Sequence, residues 1–171
     1  MRYDNPTTTG FTFSTELYGR LAQLPGISSI KIPPTGTDPV SAKARIDEVR
    51  RVLPAHVTIG ISGDSSAAAA LNVGCEAWYS VIAGTLPQLA SPIMRAAESG
   101  TEAEASAASA RLQPLWELFA ECGGSLRVVA AIAEHLGIVP QNCLPRPLHG
   151  LNTQQRGRVT QVLKDLGVTE G

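Results

Sequence analysis

One lysine in an apolar stretch is the first candidate for chemistry. Lys31 lies between Ile30 and Ile32 in the run 26–34, which has the pattern of a short strand ended by two prolines. Loss of water around an amine favours its neutral form, and a neutral amine attacks carbonyl groups. Lys31 is therefore a candidate Schiff-base nucleophile. The alternative is an ordinary lysine at a strand end whose ammonium stays in water.

Three further residues have the chemistry or the size to assist such an amine. Tyr3 precedes a turn over residues 4–10, and Gly63 and Gly84 interrupt the chain after two predicted strands. A phenol near an imine can carry protons to and from the carbinolamine and the leaving group. Small residues at strand ends leave room for a substrate. The alternatives are an aromatic residue near a terminus for Tyr3 and simple turns for the glycines.

The elements that would position these residues alternate between strand and helix in the first half of the chain. Their spacing predicts βα units and a parallel sheet, and such sheets and barrels place active sites at the carboxyl ends of their strands. Tyr3, Lys31 and the two glycines are therefore expected at one edge. Strands are predicted around Lys31 and over residues 56–63 and 77–83, and helices over 13–25, 39–53 and 65–72.

The second half of the chain has only helical patterns. Helices are predicted over residues 87–99, 102–121, 126–136 and 153–166, with a proline-containing loop at 140–149. We expect two domains, the βα units over residues 1–100 and a helical appendage over 101–171. The predicted fold class is α/β.

The composition excludes several classes of protein. The 171 residues are 43% hydrophobic and 17% charged, with a formal net charge of −1, as in a globular chain with one sizeable core. The scattered Lys and Arg form no basic patch for nucleic acid. No run approaches the roughly 18 apolar residues of a membrane span, and the start has no signal-peptide pattern. We expect a cytoplasmic protein with neither nucleic-acid nor membrane partners.

The cysteines give no sign of a metal site. Cys75, Cys122 and Cys143 are far apart and form no CxxC pair, whereas zinc sites use closely spaced Cys and His. We expect buried, unreactive thiols in a reducing compartment.

Taken together, the motifs resemble one known family. Order and spacing are similar to those of the dihydrodipicolinate synthase / N-acetylneuraminate lyase family of class I aldolases. The segments that carry the resemblance are Tyr-Asp-Asn-Pro-Thr-Thr-Thr-Gly at 3–10, Ile-Lys at 30–31, Ile-Ser-Gly-Asp at 61–64, Tyr-Ser-Val-Ile-Ala-Gly at 79–84 and Leu-Pro-Arg-Pro-Leu at 144–148.

The resemblance implies a Schiff-base lyase or aldolase that acts on pyruvate or another 2-oxo acid. In that family the motif lysine, here Lys31, forms the imine, and the motif tyrosine, here Tyr3, relays protons. The positions matching Gly63 and Tyr79 flank the Schiff base, and an aliphatic residue is usual in the synthases where this chain has Tyr79. No metal or organic cofactor is implied, because the lysine imine is itself the electron sink.

One departure from the family pattern concerns the second substrate. Synthases carry an arginine for that substrate's carboxylate at the position of Thr8, and a threonine has no guanidinium fork for two-point binding. This departure favours another aldehyde or a sugar acid as the second substrate.

The family resemblance also implies a larger fold than these residues can form. The family fold is a (β/α)8 barrel followed by helices, typically about 250 residues or more, and this chain corresponds to the fifth strand onward. The Gly-Thr-Thr-Gly segment that grips the 2-oxo acid, and a tyrosine supplied by a neighbouring subunit, have no counterpart here. Two hypotheses follow: a Schiff-base lyase, or a catalytically incomplete half-barrel. The half-barrel would assemble as a homo-oligomer or with a separate N-terminal half, because four strands cannot close a barrel.

Overall fold

The structure, a computed structural model, describes residues 1–168 as two compact units. The first unit contains residues 1–80 and 90–109, and of the described residues the second contains 81–89 and 110–168. The strands are β1 (Arg2–Tyr3), β2 (Ser29–Ile32), β3 (Thr58–Ile61) and β4 (Ala77–Trp78), and the helices are α1 (Pro6–Thr9), α2 (Thr15–Ala22), α3 (Pro39–Arg50), α4 (Ala67–Asn72), α5 (Pro87–Glu98), α6 (Glu102–Arg111), α7 (Gln113–Glu121), α8 (Ser125–His135) and α9 (Thr153–Asp165).

A four-stranded parallel sheet in the order β1-β2-β3-β4 organises the first unit. The parallel sheet and the α/β class are as predicted. Side chains alternate between the two faces of a strand, and the isoleucines of β2 and β3 all lie on one face, fully buried against α2, α3 and α4. The opposite face carries Ser29 and Lys31 of β2 and Gly60 of β3.

The first two long helices each have a side-chain cap at their N-terminus. The Ser14 hydroxyl accepts a hydrogen bond from the Leu17 N–H at the start of α2 and is its N-cap. At the start of α3 the Asp38 carboxylate accepts from the main-chain N–H groups of Val40 and Ser41. Both helices begin where their caps satisfy main-chain donors that have no partner within the helix.

The Asp38 cap makes α3 sensitive to acid. Hydrogen bonds from the hydroxyl and N–H of Ser41, and from the N–H of Val40, hold the pKa of this carboxyl below its usual value of 3.8. A lowered folded-state pKa means that the stabilisation is complete above the unfolded-state pKa and is lost as the pH falls through the folded-state pKa. We expect Asp38→Asn, which keeps a capping oxygen, to lose stability less steeply than the parent below about pH 4 in urea titrations. Parallel stability curves for the two proteins would contradict this expectation.

Helices α7, α8 and α9 pack against one another in the second unit. Asn152 and Gln155 form a capping box at the start of α9, in which each side chain accepts from the other residue's N–H. Arg156 of α9 pairs with the Glu134 carboxylate of α8, which also accepts from the Cys143 N–H. These contacts join α9 and the preceding loop to α8.

The helix predicted over residues 102–121 is in fact two helices, so that prediction was wrong. α6 ends at Arg111 and α7 begins at Gln113, with Leu112 between them. Pro114 lies in the first turn of α7. A proline has no N–H for the carbonyl four residues earlier, and its ring clashes with that carbonyl. A continuous helix therefore cannot pass through this position without a break or kink.

The strand predicted over residues 77–83 is shorter than expected. β4 contains only Ala77–Trp78, and the chain forms a 3-10 turn at Ile82–Gly84. β4 pairs with β3 alone, and β3 ends at Ile61. After β4 the Tyr79 N–H still donates to the Ile61 carbonyl, at 3.0 Å.

Two whole-chain expectations concern cysteines and membranes. Cys75 is buried as predicted, and burial raises the pKa of its thiol to about 11. Cys143 is exposed and Cys122 is half-buried, so burial was wrongly predicted for these two residues on composition alone. Within residues 1–168, none of the helices has the length and apolar character needed to cross a bilayer.

Candidate active site

The Lys31 amine lies between two tyrosine rings on the sheet face opposite the isoleucines. Its Nζ is 4.2 Å from the centroid of the Tyr3 ring and 5.4 Å from that of the Tyr79 ring. In residues 1–168 no carboxylate lies within ion-pair distance of Nζ. The faces of aromatic rings attract cations, so these two rings provide the favourable electrostatic contacts of the amine.

Strand register explains the position of Tyr3. Tyr3 of β1 is the Cα partner of Lys31 of β2, so the two side chains leave adjacent strands on the same face. The Asp4 N–H donates to the Lys31 carbonyl at 3.0 Å and continues the pairing by one bond. Tyr3 is 41% exposed, which leaves its ring accessible from solvent.

The hydroxyl of Tyr3 is held by a neighbour that the sequence analysis did not single out. The Asn5 side-chain amide donates a hydrogen bond to the Tyr3 Oη at 2.6 Å. An accepted bond leaves the phenolic proton free to be donated elsewhere. Asn5 thereby orients Tyr3 as a proton donor. Asn5 is two residues after Tyr3, but no spacing rule predicts this contact across a turn.

A buried pair anchors the segment that follows Tyr3. The Asp4 carboxylate, 2% exposed, accepts a hydrogen bond from the hydroxyl of the fully buried Tyr18 of α2. Burial, and then the Asp4 carboxylate, raise the pKa of the Tyr18 phenol well above its ordinary value. Tyr18 therefore stays protonated and remains a donor to Asp4. This bond fixes the chain between β1 and α1 to the helical layer.

Tyr79 reaches Lys31 from just beyond β4. Its hydroxyl shares a 2.7 Å hydrogen bond with the hydroxyl of Ser29, which is 8% exposed. Its ring lies over Gly60, where a Cβ atom would be 2.1 Å from the Tyr79 Cε2. Gly60 is the Cα partner of Lys31 in the sheet. The ring therefore occupies the side-chain space next to Lys31 on β3.

Gly63 and Thr8 are placed differently from these residues. Gly63 has a φ of 82°, and a Cβ there would be 2.6 Å from the Cγ of Pro34, so both backbone conformation and packing require a glycine. Thr8 is exposed in the one-turn helix α1, five residues after Tyr3. A role for either residue in substrate binding stays a prediction.

The arrangement brings an amine and a phenol together. Within the described part of the chain, no three His, Cys, Asp or Glu side chains lie together as they would around a metal ion. The amine of Lys31 and the phenol of Tyr3 lie side by side at a strand end. That pair has the groups for carbonyl addition followed by loss of water.

Comparisons with known proteins agree with this geometry. A model of the dihydrodipicolinate synthetase family matches residues 1–166. Among curated proteins, the 4-hydroxy-tetrahydrodipicolinate synthase of Nitrosomonas eutropha is 34% identical over 169 residues, which are 98% of this chain and 54% of that protein.

Solved structures give the same match. The crystal structure of a dihydrodipicolinate synthase from Agrobacterium tumefaciens has a TM-score of 0.88 and 43% identity, over 96% of this chain and 54% of that one. A chloride-inhibited dihydrodipicolinate synthase from Acinetobacter baumannii, complexed with pyruvate, has a TM-score of 0.80 and 25% identity, over 98% and 55% of the two chains. The chain thus spans about half the length of these relatives, and its parallel βα units correspond to about half of their barrels.

Proposed function

Because the chain belongs to the dihydrodipicolinate synthetase family, we propose that it provides the imine-forming half of a Schiff-base lyase or aldolase for a pyruvate-type 2-oxo acid. The observation that carries the proposal is the position of the Lys31 amine between the rings of Tyr3 and Tyr79. Lys31 is the nucleophile in this proposal, and Tyr3 is the general acid and base.

Imine formation follows from the positions of these two groups. The neutral Lys31 amine attacks the keto carbon, and the keto oxygen becomes the hydroxyl of a carbinolamine. Tyr3 donates its proton to that hydroxyl, which leaves as water while the nitrogen lone pair forms the C=N bond. The products are a protonated imine, water and a Tyr3 phenolate. The hydrogen bond from Asn5 to the Tyr3 oxygen stabilises that phenolate.

The protonated imine then activates the next carbon. It withdraws electrons from C3, so a C3 proton can leave and an enamine forms. In this proposal the Tyr3 phenolate, whose ring centroid lies 4.2 Å from the Lys31 Nζ, is the base that removes the proton. The enamine carbon can add to an aldehyde, and the same steps in reverse cleave an aldol. No metal or organic cofactor is needed for this sequence.

Pyruvate is the 2-oxo acid that we propose first. The Acinetobacter baumannii relative was solved in complex with pyruvate, and a small 2-oxo acid suits an amine enclosed by two rings. Thr8 stands where a guanidinium would bind a second carboxylate. We therefore propose an aldehyde without that carboxylate, or a sugar acid, as the second substrate.

Open sheet edges favour a second candidate function. Within residues 1–168, β1 pairs only with β2 and β4 only with β3, and an unpaired parallel edge exposes main-chain donors and acceptors. The second candidate is a catalytically incomplete sheet that assembles with another copy of itself or with a separate N-terminal half.

Reductive trapping tests the enzyme proposal. We expect incubation with pyruvate and sodium borohydride to add one reduced pyruvate to the chain, because borohydride converts an imine into a stable secondary amine. Peptide mapping by mass spectrometry should place the addition on Lys31. Lys43, which pairs with Asp47 on the exposed face of α3, is the internal control and should stay unmodified. A folded protein without a Lys31 adduct would overturn the enzyme proposal. A larger assembly in sedimentation would then favour the second candidate.

A further inference from the structure

Ser29 of β2, Gly60 of β3 and Tyr79, which follows β4, form one side of the site. The Ser29 hydroxyl, the Gly60 backbone and the Tyr79 ring are distant in sequence, and they meet beside Lys31 on one face of the sheet. The Ser29–Tyr79 hydrogen bond is 2.7 Å long and the Ser29 end is buried. Any side chain at residue 60 would occupy the place of the Tyr79 ring.

The hydroxyls of Tyr3 and Tyr79 make different hydrogen bonds, so we assign them different functions. The Tyr3 hydroxyl is exposed and accepts from Asn5, so its proton remains available. The Tyr79 hydroxyl is engaged by Ser29, and its ring lies 5.4 Å from the amine. The part of Tyr79 that interacts with the Lys31 amine is therefore its ring face rather than its hydroxyl.

We propose that Ser29 and Gly60 are positioning residues that fix the Tyr79 ring beside Lys31, where its face stabilises the positive charge of the ammonium and of the lysine imine. Conversion of an ammonium and a ketone into a protonated imine and water conserves one positive charge. The ring therefore stabilises both the starting and the product cation. The role in imine chemistry rests on the proposed function, whereas the positioning of the ring does not.

Selective labelling of lysines tests the positioning without any substrate. The chain has three lysines, Lys31, Lys43 and Lys164, and formaldehyde with cyanoborohydride methylates accessible amines. We expect Lys31 to be methylated when the Tyr79 ring moves away from it. Loss of the Ser29–Tyr79 hydrogen bond should therefore raise the methylation rate of Lys31 relative to that of Lys43. A net hydrogen bond of typical strength corresponds to an increase of about two- to tenfold. Because Lys43 is already exposed, general loosening of the fold would also raise this ratio, and thermal unfolding of each variant identifies that case.

Two single variants and their combination remove the same bond. Ser29→Ala and Tyr79→Phe should each raise the Lys31 to Lys43 ratio, and the double variant should raise it no further, because both changes delete one interaction. Ser62→Ala is the matched control, since the Ser62 hydroxyl is buried without a hydrogen-bond partner in the described residues. An unchanged ratio in both single variants, or an equal rise in Ser62→Ala, would overturn the proposal.

Trapping with pyruvate then separates this proposal from the proposed function. If the parent chain forms a Lys31 adduct, Ser29→Ala should change its trapping rate far less than Tyr3→Phe does, because the ring stabilises the ammonium and the imine alike. No adduct in the parent, with the expected methylation ratios, would refute the imine chemistry and retain the positioning. A normal adduct in the parent, with methylation ratios that do not change in the variants, would refute the positioning and retain the imine chemistry.

Discussion

Lys31→Met is expected to abolish borohydride-dependent addition of pyruvate, because the variant has no amine between the rings of Tyr3 and Tyr79. Methionine keeps a flexible apolar chain of similar length, and the parent lysine is in no ion pair within residues 1–168. The change should therefore leave folding close to that of the parent. The measurement is the mass of the intact protein after reduction, with and without pyruvate.

The matched control for this variant is Lys43→Met. Lys43 forms an exposed ion pair with Asp47 one helical turn away, and such pairs contribute little to stability. Lys43→Met should trap pyruvate like the parent. Persistent trapping in Lys31→Met would show that pyruvate reacts with another amine, and the assignment of Lys31 as nucleophile would fail.

The second large effect is expected from Tyr3→Phe. Phenylalanine keeps the ring against the Lys31 amine and removes only the proton donor, so a protein that folds normally should trap pyruvate more slowly by about 10²–10⁴-fold. Stopped time courses of adduct formation, followed by mass spectrometry, measure this rate. Tyr79→Phe is the comparison, because its hydroxyl is engaged by Ser29 and its loss should slow trapping far less.

A smaller effect of Tyr3→Phe than of Tyr79→Phe would reverse the roles that we give to the two phenols. Comparable effects from both would point to ring position alone, without proton transfer by Tyr3. Thermal unfolding of both variants separates these outcomes from loss of the fold.

The sequence predicts that Tyr3 and Lys31 lie together, because the features that mark them are local. Lys31 is marked by its apolar flanks and Tyr3 by its position before a turn, and parallel βα spacing places both at one sheet edge. Strand pairing then makes them neighbours, with Tyr3 opposite Lys31. The family resemblance and the α/β class, which depend on the same local segments, are confirmed by the matches.

Features that depend on three-dimensional register were not predictable from the sequence. Ser29 and Tyr79 are fifty positions apart. Their contact could be predicted only if the register between β2, β3 and β4 were known. Gly60 shows the same limit, since a glycine inside a strand pattern indicates a close approach of some kind but does not identify the ring that makes it. Pro114 marks a possible break in a helix, but Pro92 lies inside α5 without ending it, so the proline alone did not decide the outcome.

The contact between Gly60 and the Tyr79 ring also constrains how such a site can arise by mutation. In this geometry a Cβ at residue 60 and the ring at residue 79 occupy the same space, so neither state tolerates the other. As long as the ring keeps this position, a path of single substitutions toward this chain must acquire glycine at 60 before tyrosine at 79, and a path away from it must lose the tyrosine first. The history of the two positions therefore has a direction that neither residue alone would reveal.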